Sequence, residues 1–183
     1  MTPDEIPPTH SGDAHEETAR YYDGIAAGYD ELHGEEQRNK YRIIADRLNL
    51  PQSARVLDVG AGTGVGFSII PAIGIDPSPE LLKQHPHPES VVGRAEKLPF
   101  PDKSFDAVIS VTAIHHANVS RAINEMRRVS RGPIAITVLK KSAYANAIIA
   151  EAIKELRPLI IIDEAKDSIL IHNPHSKTTA RNA

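Results

Sequence analysis

VLDVGAGTG, residues 56–64, constrains this chain more than any other stretch. Arg55 to Val59 is a short apolar, β-branched run and reads as a buried parallel strand, and Gly60, Gly62 and Gly64 punctuate the turn that leaves it. A residue without a Cβ lets backbone N–H groups approach a polar ligand closely, so the spacing of the glycines tells which ligand. A dinucleotide fingerprint, G-x-G-x-x-G, fails: its third glycine would fall on Val65 counted from Gly60, or on Phe67 counted from Gly62. A P-loop fails as well, because no lysine stands between Asp58 and Asp76. What remains is an acidic turn, with Asp58 just before it and Asp76 ending the next apolar run, Ala72 to Ile75. In a doubly wound sheet ligands sit beyond the carboxyl ends of the strands, where an acid closing the second strand can accept both hydroxyls of a ribose. That combination fits a nucleoside carrying no phosphate.

Four stretches in this order, VLDVGAGTG (56–64), GIDPSPELL (74–82), GRAEKLPFPDKSFD (93–106) and AVISVTAIHH (107–116), resemble the class I S-adenosylmethionine-dependent methyltransferases. The likeness is to the small methyltransferase-11-like domains related to ubiquinone and tRNA-wobble methyltransferases, and it runs from about Tyr22 to His172. It implies an α/β fold: a three-layer, Rossmann-like seven-stranded sheet, mostly parallel, with a C-terminal antiparallel hairpin. It also implies S-adenosylmethionine as cofactor. Asp58, Gly60, Ala61, Gly62 and Gly64 would hold its methionine part, Asp76 with Pro77 the ribose, and Ala95 with Glu96 the adenine side. Tyr29 would lie over the cofactor as a lid, with packing on an amphipathic helix as the plainer reading. Thr112 opens the loop that flanks the transferable methyl. Arg94 departs from the acid usual at its position, which leaves Glu96 or backbone carbonyls to accept from the adenine amino group.

A chain of 183 residues suits one domain with a real core. The expected division is a mobile segment 1–17, a domain 18–172 and a polar tail 173–183. Helices are expected from Glu35 to Leu48, from the Ser78 cap for about two turns, from Asn118 through Val129, and over Tyr144 to Leu156 with Ile148, Ile149, Ala152 and Ile153 inward. Strands are expected at Ser90–Gly93, Phe105–Val111 and Ile134–Leu139, then a hairpin of LIIID (159–163) and SILIH (168–172). The nine residues from Val65 to Ile73, broken by Pro71, are short for a first crossover helix. Net charge is −3, with no overall basic field for nucleic acid; no cysteine, signal peptide or membrane-spanning run is present, so a soluble cytoplasmic protein is expected.

Methyl transfer from a sulfonium asks mainly that donor and nucleophile be held in line. His115 and His116 are the candidates for a base, against the alternative that an HH pair at a strand exit simply packs. With no cysteine, pyrimidine C5 is excluded as acceptor, since that route needs a thiolate adduct. VTAI (111–114) stands where an N-P-P-Y loop would mark nitrogen acceptors. His85 with His87 and His172 with His175 sit on separate segments, so no metal site is expected. Arg121, Arg127, Arg128 and Arg131, with Lys140 and Lys141, read as a solvated face in preference to an RNA surface. The acceptor stays open, whether small molecule, RNA or protein; the compact form suggests either a small or extended acceptor met at an open face or a partner protein that completes the site, as the small zinc-binding subunit that activates some members of the resembled family would. The rival reading is a non-catalytic S-adenosylmethionine-binding or interaction module, suggested by the short 65–73 stretch, by Arg94 and by few aromatic rings.

Overall fold

The computed structural model describes residues 29–175, with side chains from residue 34 onward. The expected mobile segment 1–17 and most of the expected polar tail lie outside those residues. The elements run α1 (Tyr29–Leu48), β1 (Val56–Val59), β2 (Ala72–Asp76), α2 (Pro79–Leu82), β3 (Val91–Val92), β4 (Ala107–Ser110), a 3₁₀ turn (Ile114–His116), α3 (Val119–Val129), β5 (Ile134–Leu139), α4 (Ala145–Glu155), β6 (Leu159–Asp163) and β7 (Asp167–His172). The strands form one sheet in the order β3-β2-β1-β4-β5-β7-β6. The first five are parallel, and β7 runs antiparallel to both β5 and β6. The expected seven-stranded α/β sheet with its closing hairpin is therefore the observed one. The chain reverses direction from β1 toward opposite sides of the sheet, β2 on one and β4 on the other, which opens a crevice at their carboxyl ends.

β1, β2, β4 and β5 are buried at every residue, as parallel strands covered on both faces must be. Alternation then assigns each side chain to a layer. Leu57, Val59, Ile73, Ile75 and Val108 meet the stripe Ala122, Ile123, Met126 and Val129 of α3, while Val56, Ala72, Ala107, Ile109 and Ala135 meet Tyr41 and Ile44 of α1. Asn118 caps α3 by accepting from Arg121 N at 3.1 Å, and Ser78 caps α2 by accepting from Leu81 N at 3.1 Å.

Two expectations change, and a third, the crossover too short for a helix, holds. α2 is a single turn, because the chain turns again through Gln84 and His85 ahead of Pro86. Ile153 is 38% exposed; α4 turns Ala145, Ile148, Ala152 and the flanking Leu156 inward instead. The crossover from β1 to β2 contains no regular helix: Gly64 O and Gly66 O accept from Phe67, Ile69 and Ile70 in successive tight turns. His85, beyond α2, packs its ring where a Cβ on Gly64 or Gly74 would come within 2.7 Å, and it meets Phe67 edge-on. A short imidazole-bearing segment thus closes the space beside a crossover too short for a helix.

Candidate functional site

Gly60 and Gly62 have φ of +78° and +55°, so the turn after β1 doubles back toward β2. Gly60 N and Ala61 N both donate to Ile75 O, at 2.7 and 3.2 Å. At Gly60 a Cβ would lie 2.3 Å from Ala113 Cβ, so β1's turn and β4's exit loop touch through a missing methyl group. Asp76 fastens the same turn from below. Its Oδ2 accepts from Gly62 N and its Oδ1 from Ser78 N, each at 2.9 Å.

A second wall comes from the loop after β3. Arg128 of α3 donates to Leu98 O and Phe100 O at 2.9 and 2.8 Å, and Glu125 accepts from Leu98 N at 2.7 Å. This fork holds the loop that carries Arg94, Ala95 and Glu96. Glu96 Oε1 accepts from Asn118 N at 2.7 Å, so one oxygen of the expected adenine acceptor already serves the start of α3.

α1 closes the third side. Tyr41 donates its hydroxyl to Asp58 Oδ2 at 2.5 Å. Asp58 is 3% exposed, its Oδ1 has no hydrogen-bond partner among the described residues, and burial outweighs Tyr41 to push its carboxyl up to about 7. One residue earlier, the Lys40 ammonium reaches Asp167 Oδ2 at 2.8 Å, Thr112 Oγ1 at 2.9 Å and Glu36 Oε1 at 3.3 Å. Thr112 stands at φ +55°, rare for a β-branched residue, and is held by its N–H on Thr137 Oγ1 at 2.7 Å and its hydroxyl on Gln37 Oε1 at 3.2 Å. A strained backbone at a strand's exit, over-determined by a buried ion pair, marks the rim of a site.

These walls enclose one open cavity at the carboxyl ends of β1, β2 and β4. Of the residues singled out in the sequence, Gly60, Ala61, Gly62, Asp76, Pro77, Ala95, Glu96, Thr112 and His116 line it. Three do not. Asp58 lies behind the turn under Tyr41, Gly64 is covered by His85, and His115 is turned into the protein at 5% exposure. The side chain of Tyr29 lies outside those described. Gln37, Tyr41 and Arg94 also line the cavity. The first two lie in the expected Glu35–Leu48 helix and were missed as site residues; a glutamine and a lysine close to the inward Tyr41 were the available signal.

His116 lies over His115 with ring centroids 3.9 Å apart, and burial, then the charge on His115, lower it to about 3. Its imidazole is therefore neutral across the physiological range and a weak proton acceptor. The basic cluster is largely ion-paired: Arg127 to Glu155, Arg128 to Glu125 and Asp102, Arg131 to Asp106 and Lys140 to Asp163. Among the described residues there is no grouping of three metal-ligating side chains, and no helix is long and apolar enough to cross a membrane.

Residues 57–133 match the methyltransferase-domain family. An uncharacterised Methanocaldococcus jannaschii protein, MJ1252, is 40% identical over 118 residues, 60% of this chain and 45% of its own length. A demethylmenaquinone methyltransferase of Renibacterium salmoninarum is 32% identical over 130 residues, 63% of this chain and 55% of that protein. The chain thus spans about half the length of the curated relatives it matches. A methyltransferase of Haloferax volcanii, solved in complex with the Trm112 methyltransferase activator, superposes with a TM-score of 0.70 at 17% identity over 83% of this chain and 96% of that one. The methyltransferase-domain match covers residues 57–133, and the likeness to the Haloferax structure is one of fold.

Proposed function

We propose that this chain binds S-adenosylmethionine in the cavity at the carboxyl ends of β1, β2 and β4 and transfers its methyl group to an acceptor that enters on the α1 side. The observation that carries the reading is the convergence on one cavity of a glycine turn free of lysine and an acid closing β2. The Asp76 carboxylate, oriented by its bonds from Gly62 N and Ser78 N, is the acceptor for ribose hydroxyls. Gly60, Ala61 and Gly62 take the methionine part, Pro77 lies beside the ribose, and Ala95 with the second oxygen of Glu96 faces adenine. Thr112 and His116 stand at the methyl end. Asp58 acts through Tyr41 and the turn, because it does not reach the cavity.

Bound S-adenosylmethionine supplies an already activated methyl group, so the protein's part is to align the acceptor and keep water out. His116, neutral and poorly basic, serves as a hydrogen-bonding wall in this scheme. A small activator subunit fits as partner, a reading supported by the Haloferax neighbour, which was solved with the Trm112 methyltransferase activator.

Calorimetric titration with S-adenosylmethionine and S-adenosylhomocysteine tests the reading. Both should bind, and Asp76→Asn, whose amide can accept from only one of Gly62 N and Ser78 N, should weaken both by about tenfold or more, with melting curves on the variant separating lost affinity from a loosened turn. Absence of binding, with or without an activator subunit of the Trm112 kind, would move the non-catalytic module to the front.

A further inference from the structure

The two edges of the sheet are unlike. β3 is two residues long, ends at Gly93 and offers little template for pairing. β6 is five residues, LIIID, without an internal proline or lysine, and among the described residues no strand lies on its outer side. Ile160 is 57% and Ile161 46% exposed, on opposite faces of the strand, and Ile153 on the last turn of the preceding helix is 38% exposed. Apolar edges of this length are normally shortened, charged or covered.

The hairpin fixes which backbone groups point outward. Glu164 N donates to Asp167 O at 2.9 Å, and Ile162↔Ile169 and Ile160↔Ile171 continue that ladder, so even-numbered residues of β6 spend their N–H and C=O on β7. Pro158 O, directed at His172, follows the same parity. Leu159, Ile161 and Asp163 therefore present theirs to the outside. A second strand related by a twofold axis normal to the sheet must pair residues of equal parity. With the axis at Ile160, Leu159 meets Ile161, Ile160 meets itself, and Arg157, two residues ahead of the strand, comes to the end at which Asp163 of the second copy lies. All outward donors and acceptors of Leu159 and Ile161 are then matched, and each end closes with opposite charges. Asp163 is held only at the surface, its side chain 77% exposed beside Lys140. Arg157 uses Nε on Ile153 O, so a carboxylate would meet the two terminal nitrogens of its guanidinium.

We propose that β6 is a homodimer edge: two copies of this chain pair antiparallel through it and join their sheets into one of fourteen strands. Self-complementarity of hydrogen-bond parity, apolar residues and charge in a single register favours a second copy over a foreign partner. The site cavity lies several strands away, so pairing leaves it open.

Sedimentation of the full chain should show a dimer at micromolar concentration. Ile161→Pro removes one outward N–H without touching the ladder to β7 and should raise the dissociation constant about tenfold or more. Arg157→Asp alone and Asp163→Arg alone should each be monomeric, since each sets like charges across the axis, whereas mixing the two variants should restore dimers by placing Asp against Arg at both ends. Melting curves on every variant separate dissociation from unfolding. A monomeric parent chain, a dimer indifferent to all three substitutions, or failure of the mixture to associate would overturn the proposal.

Discussion

The cavity has two kinds of wall, built by different physics. The wall after β1 and β2 is local: Gly60, Gly62, Asp76 and Ser78 lie within nineteen residues, and four backbone N–H groups pin the turn to Ile75 O and to the Asp76 carboxylate. The wall from α1 is assembled at long range. Lys40 reaches seventy-two residues along the chain to Thr112 and farther to Asp167, and Tyr41 reaches Asp58. A local wall is specified by conformation, since its residues must adopt positive φ. A long-range wall is specified by charge and hydrogen-bond matching, which depends on where the sheet places its strands.

The largest expected effect falls on the long-range wall. Lys40→Met would leave Asp167, 3% exposed at its side chain, without its cation and release Thr112 from an acceptor role that helps hold φ at +55°. Stripping one partner from a buried pair costs about 3–5 kcal/mol, and urea unfolding would read it. Lys40→Met with Asp167→Leu should recover much of that loss, because no charge is then buried alone. A single variant within about 1 kcal/mol of the parent would show that surface-like screening governs this wall too.

Next comes the local wall, where two glycines in the same turn should differ. Gly60→Ala adds a clash at 2.3 Å with Ala113 to the strain of positive φ, whereas at Gly62 the nearest atom is Leu81 Cδ1 at 3.7 Å. Strain alone costs about 1 kcal/mol, so Gly62→Ala should stay near that figure and Gly60→Ala should exceed it by about 2 kcal/mol. Thermal melts give the order. Equal losses would mean that the β4 exit loop gives way freely to the added methyl group.

The same contrast explains what the sequence disclosed. The seven-stranded sheet was implied by the resemblance, and the Asn118 and Ser78 caps and the Gly60–Gly62 turn were legible in the residues themselves, because each rests on a residue whose conformational range or capping side chain is the signal. The burial of Lys40 was not, since a lysine on a helix ordinarily reads as solvent-facing and its partner stands in β7. Asp58 illustrates the limit from the other side. The motif singles it out, and only the three-dimensional contact with Tyr41 shows it to be behind the turn and not in the cavity. The short crossover at 65–73 was visible as a length, while the use of His85 to fill the space was not.

Asp58 joins the two walls, and its titration should be visible in stability. Its carboxyl titrates near 7 when folded, against an ordinary value of 3.8, with burial as the main cause. Below about pH 4 both states hold the proton. Between about 4 and 7 the unfolded chain releases it while the folded chain keeps it, so stability falls as pH rises, by at most about 1.4 kcal/mol per pH unit. Asp58→Asn should remove this decline, so that the variant gains on the parent from pH 4 to pH 7.5. Parallel stability curves would show that Tyr41 stabilises the carboxylate enough to cancel its burial.

The smallest effect is expected at His116. A general base tuned for neutral pH would leave an inflection in the rate profile between pH 5 and 8, and its removal would abolish that inflection. His116 is held near 3 by burial and by its neighbour His115, so its protonation state does not change over that interval. His116→Asn keeps a hydrogen-bonding wall of similar size and should alter methyl transfer by less than about threefold, with the shape of the pH profile unchanged. Loss of an inflection in the variant would show that a bound cofactor or acceptor raises this imidazole into the working range, and the exit loop of β4 would then supply chemistry as well as position.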